Sequence, residues 1–127
     1  MKPIAMVARV IGVDQLHVGT VVGKMSETKQ EVIDNIEVCK AEWDGLKSVL
    51  PVASGGLHPR LVPALMETFG KDFVIQAGGG IHGHPNGTIA GAKAMRQAVD
   101  ATLYGKTLDE YAKNHKELAA ALKQWKN

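Results

Sequence analysis

Two hydrophobic rhythms alternate along the chain. Val13 to Val18, Ser48 to Ala53 and Phe73 to Ala77 are short runs rich in β-branched residues, and each closes on small residues: Gly19, then Ser54-Gly55-Gly56, then Gly78-Gly79-Gly80. Such runs predict strands ended by glycine turns. Between them the apolar spacing changes to three and four, with Val32, Ile36, Cys39 and Trp43 in one segment and Leu61, Leu65, Met66 and Phe69 in the next. That spacing predicts amphipathic helices laid over a sheet. Asn86-Gly87 precedes a third such helix, with Ile89, Ala92, Met95, Val99 and Leu103 on one stripe. Thr107-Leu108-Asp109-Glu110 reads as a capping box opening a helical tail, whose apolar seam is Tyr111, Leu118, Leu122 and Trp125. The opening stretch Ile4 to Ile11 is also helical in character, and Gly12 stands where a helix commonly stops.

Strands alternating with helices imply right-handed crossovers and a parallel sheet, so the glycine clusters are expected along one edge. Ligands bind beyond the carboxyl ends of such strands, and in an eight-stranded β/α barrel the last two strand-to-helix loops commonly hold phosphate. The serine-glycine and triple-glycine loops suit those positions. Three strands cannot close a barrel, however, because closure ties strand number to tilt and stagger. The expected fold class is therefore α/β, a partial (β/α)8 TIM barrel: a helix over 1–12, three βα units over 13–105 and a helical tail over 106–127. The chain opens on a helix with no strand before it, as a barrel cut after its fifth strand would.

Composition narrows this only slightly. A length of 127 residues suits one domain, since domains most often run to roughly 100–150 residues. A formal net charge of +2 with no block of Lys and Arg argues against nucleic acid as a partner. The single cysteine, Cys39, rules out an intrachain disulfide, and no apolar run approaches membrane-spanning length. A cytoplasmic setting and a core position for Cys39 are the expectations.

Candidate chemistry gathers at the glycines. Gly19 to Lys24 resembles a nucleotide-binding P-loop, but three residues rather than four separate its glycines and Met25 follows the lysine. The nucleoside-triphosphate reading fails, because the motif needs a Ser or Thr there to hold magnesium. A lysine on a glycine-flanked loop remains an anion-handling group, against the plainer reading of a solvated side chain. His17, at a strand end, is either a ligand contact or a satisfied structural histidine. Ser54 either meets a ligand or caps its own turn. His82 and His84, with His58, invite a zinc reading, but no Cys, Asp or Glu adjoins them, and a polar loop fixing its own turn accounts for them better. Met66, Met95, Trp43 and Trp125 read as packing residues. Lys113, Lys116 and Glu117 read as a solvated helix face.

The runs Asp14-Gln15-Leu16-His17-Val18-Gly19-Thr20-Val21-Val22-Gly23-Lys24, Pro51-Val52-Ala53-Ser54-Gly55-Gly56-Leu57-His58-Pro59 and Gln76-Ala77-Gly78-Gly79-Gly80-Ile81-His82-Gly83-His84-Pro85 resemble the large chain of ribulose-bisphosphate carboxylase, most closely its archaeal, form III branch. The resemblance runs through essentially the whole chain and covers the last part of the family's chain, namely barrel strands six to eight and the C-terminal helices. It implies that Lys24 is the lysine of a closing lid, placed to stabilise the carboxylate formed when carbon dioxide adds to the enediolate of ribulose 1,5-bisphosphate. It further implies that His17 contacts one substrate phosphate and that Ser54 hydrogen-bonds a substrate hydroxyl. Backbone donors at Gly55, Gly56, Gln76, Ala77, Gly78 and Gly79 would receive the other phosphate, glycine allowing backbone amides to approach an anion closely.

By the same resemblance the magnesium-binding set and the enolising base lie in the N-terminal portion. Magnesium is thus expected in the complete enzyme and at none of this chain's own residues. Activity is expected only with that portion supplied, and association with it or with a second copy is the expected partnership. One departure from the family pattern is the stretch Ser26, Glu27 and Thr28, where an acidic residue and a glycine are usual. Two other readings are a non-catalytic half-barrel assembly unit and a carboxylase-like enolase or isomerase of a phosphorylated sugar.

Overall fold

The computed structural model of the protein describes residues 2–22 and 28–126. Three strands, β1 (Gln15–His17), β2 (Leu50–Ser54) and β3 (Val74–Gln76), form one parallel sheet in the order β1-β2-β3. Helices α1 (Lys2–Val10), α2 (Lys29–Lys40), α3 (Val62–Phe69), α4 (Gly79–His82), α5 (Gly87–Leu103), α6 (Leu108–Ala112) and α7 (Lys116–Gln124) flank or connect them, and a 3-10 turn at Pro59–Leu61 leads into α3. This is the expected alternation of parallel strands and helices. The strands are shorter than the β-branched runs that predict them, because only residues facing a neighbour join the ladder. Pairing at β1 still extends a residue each way, with Leu50 N donating to Asp14 O at 3.0 Å and Val18 N to Val52 O at 3.2 Å.

Alternation along the strands sorts their side chains onto two faces. Leu16, Val18, Val49, Ala53 and Ile75 join Val32, Ile36, Cys39, Leu65 and Phe69 in one apolar cluster, so this face is the one that α2 and α3 cover. The opposite face carries Gln15, His17, Val52, Ser54, Val74 and Gln76, and Leu50 on it is 41% exposed. A second cluster joins Val62, Met95, Ala98, Leu118 and Leu122, which locks the tail onto α3 and α5. Cys39 is buried as expected, and burial pushes its thiol pKa up.

Three sequence expectations are corrected. Trp43 does not continue the α2 stripe: the helix ends at Lys40, the chain turns through Asp44 and Gly45 at positive φ, and the Trp43 ring lies 5.8 Å from the Arg9 guanidinium. The buried face of α5 is Gly91, Ala94, Met95, Ala98 and Ala101, while Ile89 and Leu103 are 78% and 43% exposed. Size decides this, since α4 crosses so closely that a Cβ on Gly91 would lie 2.0 Å from Ile81 O. The triple glycine is not all loop either, because α4 starts at Gly79.

The caps fare better. Thr107 accepts from Glu110 N at 3.2 Å while the Glu110 carboxylate accepts from Thr107 N at 3.0 Å, the predicted capping box. Thr28 and Glu31 form a second box at the start of α2, which the same four-residue spacing would have revealed. Gly12, at φ 83°, follows α1 as anticipated.

Candidate functional site at the carboxyl edge of the sheet

Because all three strands run parallel, their carboxyl ends share one edge. His17 is the register partner of Val52, and Ser54 that of Gln76. Val52 and Ser54 are two apart on one strand, so His17 and Ser54 share a face and meet diagonally. The His17 Nδ1 and Ser54 Oγ lie 3.0 Å apart in a hydrogen bond. His17 and Gln76 are exposed and Ser54 is half-buried.

The loops beyond these ends use glycine for different reasons. Gly55 and Gly56 take φ of 108° and 66°, values that L side chains rarely adopt, so the chain turn itself requires them. Gly80 is required by packing: an added Cβ would sit 1.9 Å from Leu57 O, which locks the loop after β3 against the loop after β2. Gly78 and Gly79 answer neither need, for an added Cβ would meet nothing within 4 Å and both face solvent. The structure therefore brings His17, Ser54, Gly55, Gly56, Gln76, Ala77, Gly78 and Gly79 to one edge. Lys24 lies outside the described residues, as do Ser26 and Glu27.

The histidines that invite a zinc reading are held by other groups. The buried His84 ring accepts from Asn86 N at 3.1 Å through Nδ1, and its Nε2 donates to Glu117 O at 2.9 Å. Nδ1 of His82 pairs with Thr88 Oγ1 at 3.1 Å. His58 stacks on Trp125 with ring centroids 5.5 Å apart and planes 6° from parallel. Trp125 thus packs against the loop that follows β2, a contact its apolar spacing did not reveal. Among the described residues no group of three or more His, Cys, Asp or Glu could hold a metal ion. No helix among them is long and apolar enough to cross a membrane.

A parallel sheet with interleaved helices and a polar carboxyl edge defines an α/β protein of the class that binds ligands at its strand ends. More narrowly, the chain belongs to the ribulose bisphosphate carboxylase family, since residues 2–125 match the family described as "Ribulose bisphosphate carboxylase large chain, catalytic domain". It is 54% identical over 125 residues to the ribulose bisphosphate carboxylase of Pyrococcus furiosus, covering 98% of this chain and 30% of that protein. The octameric ribulose-1,5-bisphosphate carboxylase/oxygenase of Pyrococcus horikoshii superposes with a TM-score of 0.92 at 52% identity, over 95% of this chain and 29% of that one. A rubisco-like protein from Alicyclobacillus acidocaldarius superposes at 0.88 with 36% identity, over 95% of this chain and 30% of that one. The chain spans about a third of the length of the curated relatives it matches.

Proposed function

We propose that the chain is the C-terminal part of a carboxylase large-chain barrel, strands six to eight with the C-terminal helices, and that its carboxyl edge is the phosphate-holding half of the substrate site. The observation that carries this is the open edge at Gly78 and Gly79. Neither backbone turn nor packing accounts for glycine there, and a Cβ would obstruct only what approaches from outside. An anion held by backbone amides makes that approach. Next to it, the hydrogen-bonded His17 and Ser54 supply a ring nitrogen and a hydroxyl for a phosphate and a sugar hydroxyl. Gly55, Gly56, Gln76 and Ala77 complete the backbone donors. Lys24 is proposed as the lid lysine by its place in the family's sequence pattern, because an ammonium acts best where negative charge develops and water is excluded.

Ribulose 1,5-bisphosphate and carbon dioxide are the proposed substrates. Magnesium and the enolising base belong to the N-terminal portion, so the chain by itself is expected to bind substrate without turning it over. A cytoplasmic setting suits the lone, buried thiol of Cys39. The enolase or isomerase reading is less favoured, since identity to the carboxylases exceeds that to the rubisco-like protein.

Calorimetric titration with ribulose 1,5-bisphosphate tests the site. Binding that weakens as salt rises is expected, and Gly79→Val should abolish it while leaving the urea midpoint in place. Binding that survives Gly79→Val would defeat the placement of the anion.

A further inference from the structure

The loops that carry the proposed anion donors run beyond the last ladder partners, Ser54 and Gln76. The sheet therefore fixes only their first residues. Their far ends are fixed by the tail. Arg60, just past the Ser54-Gly55-Gly56 loop, donates from Nε to Trp125 O at 2.8 Å and from a terminal guanidinium nitrogen to Leu122 O at 2.7 Å. These carbonyls end α7 and have no acceptor role left within the helix, so a guanidinium there satisfies them and ties the helix end to the loop. Trp125 then lies flat on His58. The indole also borders the loop after β3, where a Cβ on Gly83 would stand 3.5 Å from its Cζ2. Next along, His84 holds Glu117 O of α7. The tail thus grips residues 58–60 on one loop and 83–84 on the other, and the Gly80–Leu57 contact presses the two together between those grips.

We propose that Trp125 and Arg60 are positioning residues that set the two anion-binding loops in register with each other from behind. They touch no ligand. Their effect falls on the distance between the Gly55-Gly56 and Gly78-Gly79 backbones, which must converge on one phosphate. Without the tail only the Gly80–Leu57 contact would join the loops beyond the sheet, their spacing would vary more, and binding would carry the cost of ordering them.

This rests on the anion-site reading, and the test separates the two. Hydrogen exchange at the amides of 55–57 and 78–83, and the affinity for ribulose 1,5-bisphosphate, would be compared in wild type, Trp125→Ala, Trp125→Phe and Arg60→Met. Expected for Trp125→Ala is exchange roughly tenfold faster at those amides, with the α2 and β2 amides unchanged. Bisphosphate affinity should fall about tenfold in parallel, a change equivalent to about 1.4 kcal/mol. Arg60→Met should behave similarly, and Trp125→Phe, which keeps a flat ring on His58, should restore most of the affinity. Wild type that takes no bisphosphate defeats the anion site and the positioning role with it. Wild type that binds, with Trp125→Ala and Arg60→Met binding equally well, overturns the positioning role alone.

Discussion

His58 carries a ring nitrogen, Nδ1, that is sealed from water and has no hydrogen-bond partner among the described residues. Desolvation, reinforced by the neighbouring Arg60 charge, holds its pKa below the usual 6.5. The unfolded chain therefore binds more protons than the folded one as pH falls below about 6.5, and stability drops until the lowered folded pKa is passed. Above the unfolded value this contribution is fully present. Urea titrations from neutral to acid pH should show the decline, and His58→Phe, which cannot titrate but can still stack on Trp125, should flatten that part of it. An unaltered profile in His58→Phe would sink the assignment. The stack itself was not legible in the sequence, because it joins a loop residue to one 67 positions later, and apolar spacing identifies only a seam.

At the scale of elements, α1 packs through the buried Ala5 and Ala8 and is anchored by one buried polar side chain, Arg9. Arg9 is 4% exposed, and its guanidinium donates to Val38 O at 2.7 Å, Leu46 O at 3.0 Å and Lys47 O at 3.1 Å. Those carbonyls lie at the end of α2 and in the turn that follows, so one residue fastens α1 to the approach of β2. Arg9→Met should cost about 3 kcal/mol in urea denaturation, since it removes charge-assisted bonds and leaves buried carbonyls unpaired. A loss under about 1 kcal/mol would mean that the carbonyls find other partners. The strands, the principal helices and the Thr107 cap were read from period and spacing because both are local. The buried face of α5 was not, since its small residues serve the closeness of α4, and sequence period cannot report the distance to a neighbour.

For the whole molecule, β1 and β3 each lack a second strand neighbour among the described residues, and α1 with the residue after it exposes Ile4, Val7, Val10 and Ile11 at 64%, 60%, 59% and 72%. Unpaired strand edges and a row of exposed apolar side chains on one helix are features that a stable monomer ordinarily keeps covered. The chain should self-associate in gel filtration with light scattering, and a Val7→Lys, Val10→Glu double variant should lower the apparent mass. A stable monomer at every concentration would refute this. By itself the sequence determined the alternation of strands and helices, the parallel sheet that follows from it, and the edge on which the glycine loops fall, because each depends on local period and chain chirality. Only the tertiary structure decided which glycines the turns and packing require and which stand open, and that Trp125 reaches back to His58. Those outcomes depend on how closely distant segments approach, a quantity that no run of neighbouring residues encodes.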